Sequence, residues 1–148
     1  MINAQFTVRP GQGDPSGFDL GDMSFAGDLG AADSAGHTPD QGMMIHLSVI
    51  QLLDSLGDLL RGKVRTLAFT GVDTSFSLVF RRGERGLSVA SKDGLVARTT
   101  APELAAAVMG AADALSRALA PEDPAASDYS AALEAFHSHV PSKGSAVD

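Results

Sequence analysis

The sequence predicts an α+β protein in which an antiparallel sheet of about six to seven strands is covered on one face by two to three helices. Short segments of alternating apolar residues, joined by brief turns, indicate the strands, and longer segments with apolar residues at helical spacing indicate the helices. No segment repeats at a period of about 20 to 50 residues, which argues against repeat architectures. The chain has 148 residues, 44% of them hydrophobic, and we assign residues 1–140 to one globular domain and residues 141–148 to a disordered tail.

The N-terminal region is predicted to form strands that lead into a long loop. Residues 2–9 alternate apolar and polar side chains, as a half-buried strand does, and a turn rich in glycine and proline follows. Phe18 and Leu20 are out of phase with Met23 and Phe25, which favours a strand pair or a bulged strand. The next residues have no periodicity, so we expect a flexible acidic loop at residues 28–41.

The most strongly patterned segment, GMMIHLSVIQLLDSLGDLLRG, contains a helix with one apolar stripe. Ser48 and Gln51 have the spacing of a capping box, and a glycine ends the pattern, which together predict a helix over residues 49–61. Residues 42–47 are then free to form a short buried strand that leads into the helix. The alternative is a single helix that begins at Met43.

The following part of the chain is predicted to form a four-stranded meander and then two helices. The strands cover residues 65–70, 75–81, 87–91 and 95–99. Short turns between them favour antiparallel hairpins. Thr100 and Glu103 form a capping pair at the start of the second helix, and residues 127–139 carry the apolar stripe of a third. We expect a binding surface on the open face of the sheet.

Charge is distributed unevenly along the chain, whose net charge is −7. Between Pro10 and Leu60 there are eight aspartates and no lysine or arginine, whereas residues 61–98 contain eight basic side chains. The two regions can neutralise each other across the fold, or the aspartates can simply form turns. Alternatively, the aspartates form an acidic surface that steers a basic protein partner. The candidate partner-binding residues are then Asp19, Asp22, Asp28, Asp33, Asp40, Asp54 and Asp58.

The sequence contains no recognised catalytic signature, and we predict that the protein is not an enzyme and uses neither a cofactor nor a metal. The absence of cysteine excludes disulfides, thiolate metal sites and cysteine nucleophiles. Nucleophile-elbow, phosphate-loop and dinucleotide motifs are absent as well. On a helix, His137 and His139 face away from each other, and His46 is expected to be a structural side chain.

Nucleic-acid and membrane partners are not expected. We interpret Arg81, Arg82 and Arg85 as solvated side chains at a hairpin tip, because the chain has few aromatic residues and no tryptophan on which bases can stack. No apolar segment approaches the roughly 18 residues of a membrane span, and the N-terminus lacks the pattern of a signal peptide. We therefore expect a cytoplasmic location.

Three segments give the chain a resemblance to a known family: MMIHLSVIQLLDSLGDLLRG, LAFTGVDTSFSLVFRRGERGLSV and TTAPELAAAVMGAADALSRAL. In this order of strand and leucine-rich helix, meander and helix, the chain resembles small bacterial immunity proteins of the wall-associated-toxin (WapI) type. The resemblance implies a non-enzymatic protein that binds and neutralises a toxin, and a basic toxin is the partner that an acidic surface would suit. It transfers no functional residue to this chain, and the helix after Pro124 lies outside it.

Two other functions remain open at this point. A structural or accessory subunit of a bacterial assembly would dock its final helix onto a neighbouring protein. A small-ligand carrier or hydrolase would hold a pocket between the sheet and the helices, with His46 as its polar group.

Overall fold

The computed structural model describes residues 2–14 and 16–140, so the predicted tail at residues 141–148 lies outside the described residues. The elements, in chain order, are β1 (Asn3–Val8), β2 (Leu20–Ala26), β3 (Ala31–Asp33), β4 (Met43–Met44), α1 (Ile45–Leu60), β5 (Thr66–Thr70), β6 (Ser77–Gly83), β7 (Gly86–Ser91), β8 (Gly94–Thr99), α2 (Ala101–Ser116) and α3 (Ala126–His137). The α+β class is confirmed. The described strands number eight, and they form two antiparallel sheets of four instead of one larger sheet.

The first sheet has β2 at its centre, with β1 on one side and the short strands β3 and β4 on the other. Period-two alternation buries Ala4 and Phe6 of β1 together with Met23 and Phe25 of β2. β2 is one continuous strand, which resolves the choice between a strand pair and a bulge. Phe18 was out of phase in the sequence because it precedes the strand, where its side chain is 66% exposed.

β3 lies inside the segment for which we expected only a loop, residues 28–41. Its residues pair with β2 in register, with Ala32 opposite Phe25. Ala32 is buried, while its neighbours Ala31 and Asp33 are exposed. A strand of three residues is too short to produce a visible alternation in the sequence, which explains why the loop was predicted to be longer than it is.

Helix α1 begins at Ile45, so the predicted strand over residues 42–47 is reduced to Met43 and Met44. Ser48 is not the N-cap. It is fully buried within the helix, and its hydroxyl accepts a hydrogen bond of 2.8 Å from the backbone N–H of Val72. At the other end, Gly62 adopts a φ of 81° just after the helix, which confirms the glycine stop.

The second sheet is the predicted meander, with its strands in the order β5, β6, β7 and β8. Leu78, Phe80 and Val89 point to the buried inner face. The β7–β8 pairing contains an irregularity at Val89 and Ala90, beyond which Val96 and Ala97 of β8 are both buried. The opposite, outer face of the sheet is solvent exposed or half-buried.

The remaining helices cover the first sheet and α1. The Thr100 hydroxyl accepts a hydrogen bond from the N–H of Glu103, which confirms the predicted cap of α2. α2 packs against β1, and α3 packs against both α1 and α2. Tyr129 of α3 is buried, and its hydroxyl donates a 2.7 Å hydrogen bond to the carbonyl of Ala112 in α2. Among the described helices, none has the length and apolar character that crossing a bilayer requires.

The two sheets meet at their inner faces and at one turn. The rings of Phe25 and Phe80 pack edge to face with centroids 5.9 Å apart. In the turn between β2 and β3, the N–H groups of Leu29 and Gly30 both donate to the carbonyl of Val96 in β8. The sheets are therefore joined by main-chain hydrogen bonds as well as by the core, and no helix of the described residues covers the outer face of either sheet.

Candidate functional site

The outer face of the first sheet brings together three of the seven candidate aspartates. Asp22 of β2 and Asp33 of β3 point outward because their neighbours Met23 and Ala32 point into the core. Asp40 reaches the same region through Arg9, which follows β1. We call this surface, defined by Asp22, Asp33 and Asp40, the acidic face.

Arg9 holds two of these carboxylates at once. Its Nε and one Nη donate to the two oxygens of Asp22 at 2.8 and 2.9 Å, and both Nη atoms donate to Asp40 at 2.8 Å. These bonds lower the pKa of Asp22, although partial burial opposes the shift, and they lower the pKa of Asp40 well below its usual range. One guanidinium facing two carboxylates leaves a local charge of −1, with both acids firmly ionised.

Asp33 has no basic partner among the described ion pairs. It is exposed, and within residues 2–14 and 16–140 its carboxylate accepts only the N–H of Ala35, at 2.9 Å. It stands directly across the ladder from Ser24, which in turn stands across from Gln5 of β1. A shallow groove of about 140 Å³ crosses this polar row. The acidic face is therefore a shaped, hydrogen-bonding surface with one unpaired carboxylate.

The other four candidate aspartates lie elsewhere. Asp19 accepts the N–H of Ser16, and Asp28 accepts the N–H of Arg98 at 3.4 Å, where it helps to join the two sheets. Asp54 and Asp58 are on α1 and line a groove of about 210 Å³ against α3, where Asp58 forms an ion pair of 2.7 Å with Arg61. The seven residues predicted as one surface are thus divided among four places in the fold.

The outer face of the second sheet carries charge of the opposite sign, which the sequence did not reveal as a surface. Arg81 of β6 is paired in register with Ser88 of β7, and Ser88 is paired with Arg98 of β8. Arg82, predicted to lie at the hairpin tip with Arg81, turns to the other side and donates to the carbonyls of Leu59 and Leu60 at the end of α1. A periodicity of two along β6 is the signal that separates the two arginines.

The histidines do not form a site with convergent groups. His46 is fully buried, neither ring nitrogen has a hydrogen-bond partner within the described residues, and burial lowers its pKa against the opposing charges of Asp19 and Asp123. His139 lies near Arg61, and burial and that charge lower its pKa. Within residues 2–14 and 16–140, no three potential metal ligands from His, Asp and Glu cluster together.

Comparisons with protein-family models, with curated proteins and with solved structures find no match to this chain. The resemblance to immunity proteins therefore stays a prediction.

One further groove lies where the loop after β3 meets the hairpin turns of the second sheet. It has a volume of about 340 Å³ and is lined by Asp33, His37, Ser75, Lys92 and Asp93 among others. The His37 ring contacts the carbonyl of Asp33 through Nε2 at 2.6 Å and is exposed. His46 is fully buried and does not line any of the five best-formed grooves of the described residues. The arrangement thus provides open, charged sheet faces and polar grooves at the surface.

Proposed function

We propose that the protein is a non-enzymatic partner-binding protein whose acidic face engages a basic protein. The observation that carries this proposal is the segregation of charge between two open sheet faces, with Asp22, Asp33 and Asp40 on one and Arg81 and Arg98 on the other. Arg9 offsets one of the three carboxylates, so the acidic face keeps a net charge of −2. Complementary potentials accelerate the encounter of two proteins and fix their relative orientation.

The ionisation state of the acidic face favours recognition over turnover. A general acid or base works best when its pKa lies near the operating pH. The Arg9 guanidinium instead lowers the pKa of both Asp22 and Asp40, so these carboxylates stay charged and only accept hydrogen bonds. Fixed, ionised acceptors suit the binding of lysine and arginine side chains.

A toxin-neutralising immunity protein is the specific case that the sequence resemblance implies. A basic toxin offers the charge that the acidic face complements, and Gln5, Thr7 and Ser24 of β1 and β2 offer hydrogen-bonding side chains beside it. The structural or accessory subunit of the alternative proposal would need a free final helix, whereas Tyr129 and Phe136 of α3 are buried in this chain. The ligand-carrier alternative loses His46 as a pocket group, because His46 lines none of the five described grooves.

The experiment that tests this proposal is affinity capture from the source organism with two matched variants. In the face variant, Asp33→Asn and Ser24→Lys change the charge of the acidic face by two units and leave the Arg9 ion pairs intact. In the control variant, Asp128→Asn and Ser130→Lys make the same change on exposed positions of α3. We expect wild type and control to retain a basic partner that the face variant loses.

The association kinetics of the captured partner provide a second test of the proposal. Long-range attraction predicts an association rate that falls as salt rises, because the Debye length shortens to about 10 Å at 0.1 M. Equal capture by the face variant and the control variant, or an association rate that does not respond to salt, would exclude the acidic face as the binding surface.

A further inference from the structure

The outer face of the second sheet has two adjacent cross-strand rows of different character. Arg81, Ser88 and Arg98 form a basic row across β6, β7 and β8. Strands lie about 4.8 Å apart, so the two arginine Cα atoms stand about 10 Å from each other. The neighbouring row is apolar, because in register it contains Ala68, Val79, Ala90 and Leu95. We call the two rows together the basic face.

We propose that the basic face is a second docking surface, which takes a segment of a protein partner that carries carboxylates beside apolar side chains. This inference goes beyond the proposed function, since it concerns another face and a partner of opposite charge. The arginines are available for such a segment. Neither Arg81, Arg85 nor Arg98 appears among the ion pairs of the described residues, although the chain as a whole is acidic.

The shape of the surface adds to its charge. A groove of about 440 Å³ runs along the basic row and is lined by Arg81, Arg85, Ser88 and Arg98. On the apolar row, Leu95 is 44% exposed, and Leu29, whose N–H bonds to the carbonyl of Val96 in the same strand, is 48% exposed. An apolar centre with a charged, hydrogen-bonding rim is the usual composition of a protein interface.

The composition of the basic face favours a polypeptide over a nucleic acid. The two rows contain no aromatic side chain on which a base could stack, whereas sequence-tolerant binding of single strands relies on such stacking. The net charge of −7 also opposes a long polyanion, whose charge extends far beyond two arginines. A short acidic segment contacts only the basic row and gains from the apolar row beside it.

The test is an NMR titration of the ¹⁵N-labelled full chain with two probes: a synthetic peptide of alternating glutamate and alanine, and an oligothymidylate of the same length. We expect the peptide to shift the amide signals of Arg81, Ser88, Ala90 and Arg98. A variant with Arg81→Gln and Arg98→Gln is expected to bind the peptide about tenfold more weakly. The control variant, Lys63→Gln with Arg117→Gln, makes the same change of charge at exposed positions outside the face and is expected to bind as wild type does.

Each of three results would overturn the inference. The first is an equal loss of affinity in the control variant, which would mean that only net charge matters. The second is the absence of peptide shifts at the basic face at millimolar peptide, and the third is tighter binding of oligothymidylate than of the peptide. None of them bears on the acidic face, whose variants leave Arg81 and Arg98 unchanged, so the two proposals fail independently.

Discussion

Arg9 is the residue that organises the acidic face. It is the only arginine or lysine in the first 60 residues, which the sequence shows directly. Its guanidinium joins the end of β1 to Asp22 of β2 and to Asp40 of the loop, and a Cβ on Gly42 would lie only 2.5 Å from the guanidinium carbon. The sequence indicated an isolated arginine among aspartates. It could not show which two of eight carboxylates the arginine would reach, because that depends on strand register.

The two partners of Arg9 are expected to differ in their contribution to stability. The Asp22 side chain is 16% exposed and also accepts the Ser34 hydroxyl, so Asp22→Asn is expected to lower the free energy of unfolding by about 1–3 kcal/mol. The Asp40 side chain is 63% exposed, and Asp40→Asn is expected to cost much less than Asp22→Asn, because solvent screens an exposed ion pair. Urea unfolding of both variants measures the difference. Equal losses would mean that Arg9 is not anchored by Asp22.

His46 is expected to make stability depend on pH. Burial lowers its folded-state pKa below the ordinary value of 6.5, so the folded protein prefers the neutral ring and the unfolded chain binds the proton more readily. The contribution of the neutral His46 ring to stability is therefore fully present above about pH 6.5 and declines as the pH falls through that value. The negative charges of Asp19 and Asp123 oppose the lowering of the His46 pKa and so reduce this loss. The rings of His46 and Tyr129 pack edge to face.

Unfolding of wild type and His46→Leu between pH 8 and pH 5 isolates this contribution. The wild type is expected to lose stability over this range, while His46→Leu loses less, because the buried ring nitrogens are gone. His37, His137 and His139 remain in both proteins and cancel in the comparison. Identical pH profiles for the two proteins would show that His46 does not carry the effect.

At the scale of single elements, the sequence predicted features that depend on nearby residues and missed those that depend on residues far along the chain. The Thr100 cap was predicted correctly because its partner, Glu103, is three residues away. The predicted cap at Ser48 was wrong because the Ser48 hydroxyl accepts a hydrogen bond from the N–H of Val72, which is 24 residues away in the turn after β5. The helix therefore starts earlier, at Ile45, where the apolar stripe already begins. A capping box is a pattern that tertiary contacts can override.

Substitution of Ser48 distinguishes the two starts of α1. At an N-cap, aspartate is as favourable as serine. At the fully buried position observed here, Ser48→Asp is expected to be severely destabilising, because it places an unpaired charge in the core. Ser48→Ala is expected to cost about 1–3 kcal/mol, since the Val72 N–H loses its acceptor. Thermal unfolding of the two variants measures these losses. A Ser48→Asp variant as stable as the wild type would instead support a helix that begins after Ser48.

At the scale of the whole molecule, the sequence predicted the hairpins and the class but not the division into two sheets. The meander follows from alternation and short turns, which are local properties. The contact of the β2–β3 turn with β8 joins residues about 70 positions apart, as the Asp28 to Arg98 hydrogen bond shows. The seven candidate aspartates were grouped by their order in the chain, and the fold separated them because Asp54 and Asp58 belong to a helix on the other side of the core from the outer face of the first sheet.

Glycine substitutions test the junction between the sheets. A Cβ on Gly27 would clash with the Cβ of Ala97 and lie 2.8 Å from the carbonyl oxygen of Val96, so Gly27→Ala must push the turn away from β8. We expect a loss of about 1–3 kcal/mol. Gly110 in α2 is exposed with nothing near its Cβ position, and Gly110→Ala is expected to gain about 0.5–1 kcal/mol. Denaturant midpoints measure both changes in stability. A Gly27→Ala variant as stable as the wild type would mean that the two sheets lie further apart than described.

The segregation of charge between the two sheet faces underlies both binding proposals, and paramagnetic relaxation by charged nitroxide probes measures it most directly. A cationic and an anionic nitroxide, applied separately to the ¹⁵N-labelled protein, report the local potential at each amide. The cationic probe is expected to relax the amides of Ser24 and Asp33 more strongly, and the anionic probe those of Arg81, Ser88 and Arg98. The same ratio of the two relaxation rates on both faces would contradict the proposed segregation of charge.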